Sequence, residues 1–151
     1  MAENFKVFIR VRYAECDAQG VVFNARYADY VDVAATEYLR VLFGGYQSLL
    51  GRGIDNQVVR LGIDWTAPAR FDDILEIDIE TAHIGNSSYA FKLGFREYSS
   101  RRQLAVAEIV YVMVTPIEYR KQSIPDSFRK ALQEGAKDKR VDFSGAHIPV
   151  C

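Results

Sequence analysis

A chain of 151 residues is long enough to bury most of its apolar surface around one core, and one domain is expected. With 49% hydrophobic and 26% charged residues it has an ordinary globular composition, and a formal net charge of −1 argues against a general nucleic-acid binder, while leaving room for a local phosphate patch. No apolar run approaches the roughly 20 residues of a membrane span, and the opening MAENFKVFIR holds no secretory apolar core, so a cytoplasmic protein is expected.

Phe5 to Tyr13 alternates, with Phe5, Val7, Ile9, Val11 and Tyr13 on one side and Lys6, Phe8, Arg10 and Arg12 on the other, which predicts a strand. Ala14 to Gly20 breaks the pattern with the turn residues of Asp17-Ala18-Gln19-Gly20. From about Val22 to Phe43 the period becomes helical. Tyr27, Val31, Ala34, Tyr38 and Leu42 recur at three- and four-residue spacing, and Ala28, Ala35 and Leu39 widen the stripe. Charges are thin on this helix, so it is expected to be covered on several sides. Gly44-Gly45 ends it, and Tyr46 to Arg52 suits a short extra turn.

Strands are then predicted at Gln57–Trp65, Ile74–Ile84, Ser87–Tyr98 and Gln103–Thr115, separated by Thr66-Ala67-Pro68, Gly85-Asn86 and the polar loop Ser99–Arg102. A short helix at Ser127–Gly135 follows, with Asp126 as a candidate N-cap, and then a polar tail from about residue 136 that is expected to be mobile. The order lacks βαβ alternation. It predicts an α+β fold, an antiparallel sheet wrapped around the long apolar helix, with copies joined edge to edge into dimers.

Many catalytic patterns are missing. There is no GxSxG elbow, no GxGxxG or GxxxxGK[ST] loop, and no HExxH; His83 and His147 stand far apart, and no metal site is expected. Cys16 and Cys151 have no metal-ligand spacing; Cys16 is either a nucleophile, for which no His stands at a recognisable spacing, or a small half-buried structural residue. What remains is Asp17, ahead of a helix whose first free N–H groups fall near Val22, Phe23 and Asn24. Such groups bind a developing oxyanion, and a carboxylate beside them acts as nucleophile or as general base. On spacing alone, the plainer reading of Asp17 is a turn or capping residue.

The stretch YAECDAQGVVFNARYADYVDVA resembles the signature of the 4-hydroxybenzoyl-CoA thioesterase family, acyl-CoA thioester hydrolases of the hotdog fold. The likeness continues through GIDWTAPARFDDILEIDIETAHIGNSSYAF, AVAEIVYVMVTP and IPDSFRKAL, and covers roughly Phe5 to Leu132. It implies one hotdog domain over residues 1–151, with a five-stranded antiparallel sheet wrapped around one long central helix. It implies homodimers, often paired into a homotetramer as a dimer of dimers. Asp17 is then the catalytic carboxylate, and backbone N–H groups near Phe23 and Asn24 polarise the thioester carbonyl. In a branch typified by short-chain acyl-CoA hydrolases, a Tyr, this Asp and a His count as active-site residues. Tyr13 and Asp17 match that set, while Asn24 stands where the His would be.

The implied function is hydrolysis of a small or medium acyl-CoA to free acid and CoA, with no cofactor, CoA being part of the substrate. Tyr13 either lines the site or packs as a core aromatic. Trp65 either lines an acyl pocket or packs on its strand. Ser87 and Ser88 either touch pantetheine or serve the hairpin turn. Arg70, Arg101, Arg102 and Lys121 are either phosphate ligands or solvated charges. One rival is a non-catalytic acyl-CoA or acyl-carrier binding protein of the same fold. Another is a hotdog dehydratase, for which His83 and His147 are badly placed. The acyl group, and CoA against a carrier protein, stay open at this level.

Overall fold

The structure is a computed structural model and describes residues 1–150; Cys151 lies outside them. Nine elements follow in chain order: β1 (Phe5–Arg10), α1 (Arg26–Phe43), α2 (Tyr46–Gly51), β2 (Asp55–Trp65), β3 (Ile74–Ile84), β4 (Ser88–Glu97), β5 (Gln103–Val114), α3 (Asp126–Glu134) and β6 (Arg140–Asp142). They build one sheet in the order β2-β5-β4-β3-β1-β6. Every pairing is antiparallel except β1 with β6.

The helix-facing side of the sheet carries the alternating apolar set. Leu75, Ile77 and Ile79 of β3, Phe91, Leu93 and Phe95 of β4, and Ala105, Ala107, Ile109, Tyr111 and Met113 of β5 are all buried. α1 lays Tyr27, Tyr30, Val31, Ala34, Ala35 and Tyr38 against them. Small Ala34 and Ala35 let the helix sit close, and the tyrosines fill the flanks. Tyr38 meets Phe91 edge to face at 4.9 Å between centroids, and its hydroxyl bonds the Thr81 hydroxyl at 3.1 Å. At the far end of α1, Gly44 takes φ +83° and returns its N–H to the Arg40 carbonyl, a conformation that favours glycine.

Four sequence expectations need correction. The sheet has six strands and is mixed, because the polar tail supplies β6. Lys6 N–H bonds the Lys139 carbonyl, Phe143 N–H bonds the Phe8 carbonyl, and the Arg140 guanidinium lies 5.0 Å over the Phe8 ring. The tail reads as polar because its buried residues, Ala136, Ser144 and Ile148, are scattered and follow no strand or helix period. Second, β1 stops at Arg10, so Tyr13 leaves the strand face and starts a single 3-10 turn, Tyr13–Glu15. Third, α1 begins at Arg26 and not near Val22, because Val21 and Val22 form isolated β-bridges to Arg70 and Cys16. Fourth, Pro125 occupies the N-cap position of α3, and Asp126 lies in its first turn. There its carboxylate favours the positive helix end.

Two carboxylates are held by hydrogen bonds, Glu76 on the outer face of the sheet and Glu97 at its hairpin end. Glu76, 6% exposed, takes two bonds from the Arg101 guanidinium at 2.9 and 3.0 Å. Glu97 caps the β4–β5 hairpin, accepting from the Ser99 hydroxyl at 2.8 Å and the Ser100 N–H at 2.6 Å. Burial pushes the Glu97 carboxyl up, but the hydrogen bonds from Ser100 and Ser99 outweigh it and hold the pKa at about 2, against an ordinary 4.5. A carboxyl depressed in the folded state stabilises above its unfolded pKa and ceases to do so as pH falls through the folded one. The wild type is therefore expected to exceed Glu97→Gln in thermal midpoint at pH 6. That advantage should shrink as pH falls from about 4.5 toward 2. Melts of both proteins across that range check it, and a constant gap would remove the hairpin cap from the acid sensitivity of the fold.

Candidate active site

The segment between β1 and α1 is folded back on itself by backbone bonds. Asp17 N–H bonds the Val21 carbonyl at 2.8 Å, and Gly20 N–H bonds the Asp17 carbonyl at 2.9 Å. Gly20 takes φ +76°, and a Cβ there would meet nothing within 4 Å, so conformation rather than space selects glycine. The Val22 N–H bonds the Ala69 carbonyl at 2.8 Å, docking the loop after β2 against the turn. The Asp17 carboxylate is half-buried, and its Oδ1 accepts from the Gln19 N–H at 2.8 Å. This is an Asx turn, so the plain turn role is real. It occupies one carboxylate oxygen.

The start of α1 is uncapped. Ala25 sits at the N-cap with no side-chain bond to the helix. The Phe23, Asn24 and Ala25 carbonyls accept from Arg26, Tyr27 and Ala28. The Phe23 N–H is already bonded to the Glu15 carbonyl at 2.9 Å, which corrects its expected role as an oxyanion donor. Among the described residues, the Asn24 and Ala25 N–H groups take no part in the backbone hydrogen bonding. They are the unsatisfied donors that a helix start presents.

Tyr13 is 80% exposed and meets Phe71 edge to face at 5.8 Å, so it is a rim residue and not a core aromatic. Trp65, 48% exposed, stands at the same end of the molecule, 5.8 Å edge to face from Tyr27 in the first turn of α1. Phe95 closes the other side of Tyr27 at 5.5 Å. Ser87 and Ser88 are elsewhere. Trp65 pairs with Ala105, while Ser88 pairs with Val112, seven residues further along β5, or about 23 Å at about 3.3 Å per residue. One chain therefore does not bring these serines to Asp17, because the β3–β4 turn lies at the opposite end of the sheet.

The basic candidates divide in the same way. Arg102 bonds the Pro68 carbonyl, and Arg70 pairs with Val21, so both belong to the Asp17 end. Arg101 is engaged by Glu76, and Lys121 pairs with Val114 near the opposite end. Burial, then the Asp17 charge, pushes the Cys16 thiol up, which keeps it protonated and supports a structural role. Sequence reasoning passed over Glu15 and Tyr30. Glu15 is 5% exposed, and Tyr30 donates its hydroxyl to Glu15 Oε1 at 3.0 Å. The signal was there in the three-residue spacing of Arg12 and Glu15, at which the Glu15 carboxylate reaches back to the Arg12 N–H at 2.8 Å.

A family model described as the thioesterase superfamily matches residues 19–99. Acyl-CoA thioester hydrolase YbgC of Escherichia coli O6:H1 is 32% identical over 123 residues, which is 82% of this chain and 91% of that protein. Hypothetical protein TT1821 from Thermus thermophilus is 29% identical with a TM-score of 0.78, over 89% of this chain and all of that one. A 1,4-dihydroxy-2-naphthoyl-CoA thioesterase from Synechocystis shares the fold at 21% identity, TM-score 0.79, over 87% of this chain and 97% of that one.

Proposed function

We propose, because this chain belongs to the thioesterase superfamily and is a thioester hydrolase, that its substrate is a small or medium acyl-CoA, cleaved to the free acid and CoA at the Asp17 turn. The observation that carries this reading is the Asp17 carboxylate on a tight turn beside an uncapped helix start, where the Asn24 and Ala25 N–H groups are unused. The thioester oxygen sits on those donors as it gains charge. Asp17 then delivers oxygen to the acyl carbon, directly or through a water it deprotonates. The direct route forms an acyl–carboxylate anhydride, breaks the C–S bond and releases CoA thiolate; water then cleaves the anhydride. In the general-base route the water oxygen bonds the acyl carbon as Asp17 takes its proton, and the C–S bond then breaks to give the free acid and CoA thiolate. Asn24 has no acid–base function at neutral pH, so its part is confined to hydrogen bonding. Tyr13 and Trp65 border the acyl group.

The same reading makes the working unit a homodimer joined through the free edge of β2, with a dimer of dimers as the full assembly. β2 pairs on one side only, and Val58, Val59, Leu61 and Trp65 are exposed along it, as a strand awaiting a second copy would be. Ser87 and Ser88 then reach a site from a second subunit. Thiol release measured over a panel of short, medium and aromatic acyl-CoA esters tests the function. Turnover of at least one ester is expected. Tight binding with no thiol release would favour the acyl-CoA binding protein instead.

CoA phosphates are assigned to Arg70 and Arg102, the basic candidates at the Asp17 end that no carboxylate among the described residues engages, Arg101 being held by Glu76. Replacing both by Ala is expected to raise KM about fivefold, the worth of roughly 1 kcal/mol of exposed charge, with kcat nearly unchanged. The wild-type KM should rise with salt more steeply than that of the double variant. Equal KM and equal salt dependence would move the phosphates elsewhere.

A further inference from the structure

Glu15 is a buried charge that the proposed reaction does not use. Its Oε1 accepts from the Arg12 N–H at 2.8 Å and from the Tyr30 hydroxyl at 3.0 Å. Its Oε2 accepts from Arg12 Nε at 3.2 Å and Nη2 at 3.0 Å. Both oxygens are thus engaged by protein donors, the Arg12 guanidinium covering Oε2 from the solvent side, which leaves little for a substrate. The main-chain carbonyl of the same residue takes the Phe23 N–H at 2.9 Å. One residue therefore joins the end of β1, the second turn of α1 and the backbone immediately before Asn24. Asp17 lies two residues beyond it, on the segment closed by the Cys16–Val22 bridge.

We infer that Glu15, tied to Arg12 and Tyr30, is a positioning residue that sets the Asp17 carboxylate against the free N–H groups at the start of α1; this rests on the function proposed above. Buried hydrogen-bonded charges are costly to disturb when one partner is removed, and here each partner anchors a different side of the turn. Tyr30 is well placed as the anchor on α1. Its ring is buried against Tyr27, 5.8 Å away, and burial followed by the Glu15 charge keeps its hydroxyl protonated, so it remains a donor. Loss of the tie is expected to leave the fold and the binding surfaces in place. The turn would then be free to shift relative to the helix. Misplacement on that scale acts on the chemical step and spares substrate affinity.

The test uses the full chain with an acyl-CoA ester that the wild type hydrolyses. Tyr30→Phe keeps the ring and removes the donor, and Glu15→Gln keeps the shape and removes the charge. Each is expected to fold, by circular dichroism, and to lose about tenfold in kcat with KM within about twofold. The double variant should fall no further than the worse single variant, because both substitutions break one tie. Should Glu15→Gln fail to fold, Tyr30→Phe and Arg12→Met carry the test, the latter with a smaller kcat loss and unchanged KM. Folded variants with wild-type kcat, or losses confined to KM, would overturn the inference. So would strictly additive losses in the double variant. If the wild type hydrolyses no ester, the functional reading fails first. If Asp17→Asn abolishes turnover while Tyr30→Phe and Glu15→Gln match the wild type, the positioning role alone fails.

Discussion

Asp17→Asn is expected to lower kcat for acyl-CoA hydrolysis by about a thousandfold or more, with KM within a few-fold of wild type. The amide is nearly the same size and can still accept the Gln19 N–H that the Oδ1 atom takes at 2.8 Å. The turn should therefore survive, held as it is by Asp17 N–H to Val21 and Gly20 N–H to Asp17. What the amide lacks is a nucleophilic or proton-accepting oxygen. A drop in kcat with KM preserved means that the group acts in the transition state and not in uniform binding. A variant with wild-type turnover would reduce Asp17 to its Asx turn and end its catalytic assignment. Single turnover in heavy-oxygen water then separates the two routes. Label found first in the Asp17 carboxylate marks an anhydride opened at the aspartyl carbon, and label found only in the product acid shows that water attacked the acyl carbon, as the general-base route requires.

The largest stability effect is expected at Phe91, where replacement by Ala should cost about 3–5 kcal/mol. Phe91 is fully buried at the centre of the sheet, on a strand paired on both sides. Its ring meets Tyr38 of α1 edge to face at 4.9 Å, Tyr89 at 5.3 Å and Tyr111 at 5.6 Å. Those neighbours are themselves held. Tyr38 is bonded to Thr81, and Tyr89 stacks on Tyr111 at 5.2 Å, so the site collapses poorly and a cavity remains. For a chain of this size the loss should lower the melting midpoint by about 10 °C or more. Thermal melts with urea titrations measure it. A loss under about 1 kcal/mol would mean that the contact of α1 with the sheet does not depend on this ring.

Periodicity was enough to read the long apolar helix, four of the strands after it and the glycine stop at Gly44, because each of these signals is local. A period of 3.6 with few charges leaves one solution, a covered helix, and a period of two leaves a half-buried strand. The turn at Asp17 was legible for the same reason, from Asp and Gly at their spacing. The likeness of that stretch to a thioesterase family was legible in the chain as well.

Tertiary contacts decided the rest. No pattern in Arg140–Asp142 marks a strand; it becomes one because the edge of β1 offers unpaired backbone groups and Phe8 offers a ring to Arg140. The helix start was misplaced because Val22, apolar and next to the helical stretch, is captured by Cys16 from outside the helix, beside the Val21–Arg70 bridge. Phe23 loses its free N–H to a residue eight positions earlier, and Asn24 keeps one, a distinction that sequence spacing does not contain. Sequence by itself thus determined the kinds of element, the carboxylate at the turn and the family resemblance, since all three depend on neighbours along the chain. Which backbone donors stay open, which end of the sheet holds each candidate, and how Glu15 binds turn to helix depended on hydrogen bonds and packing between distant segments, and those exist only once the chain has folded.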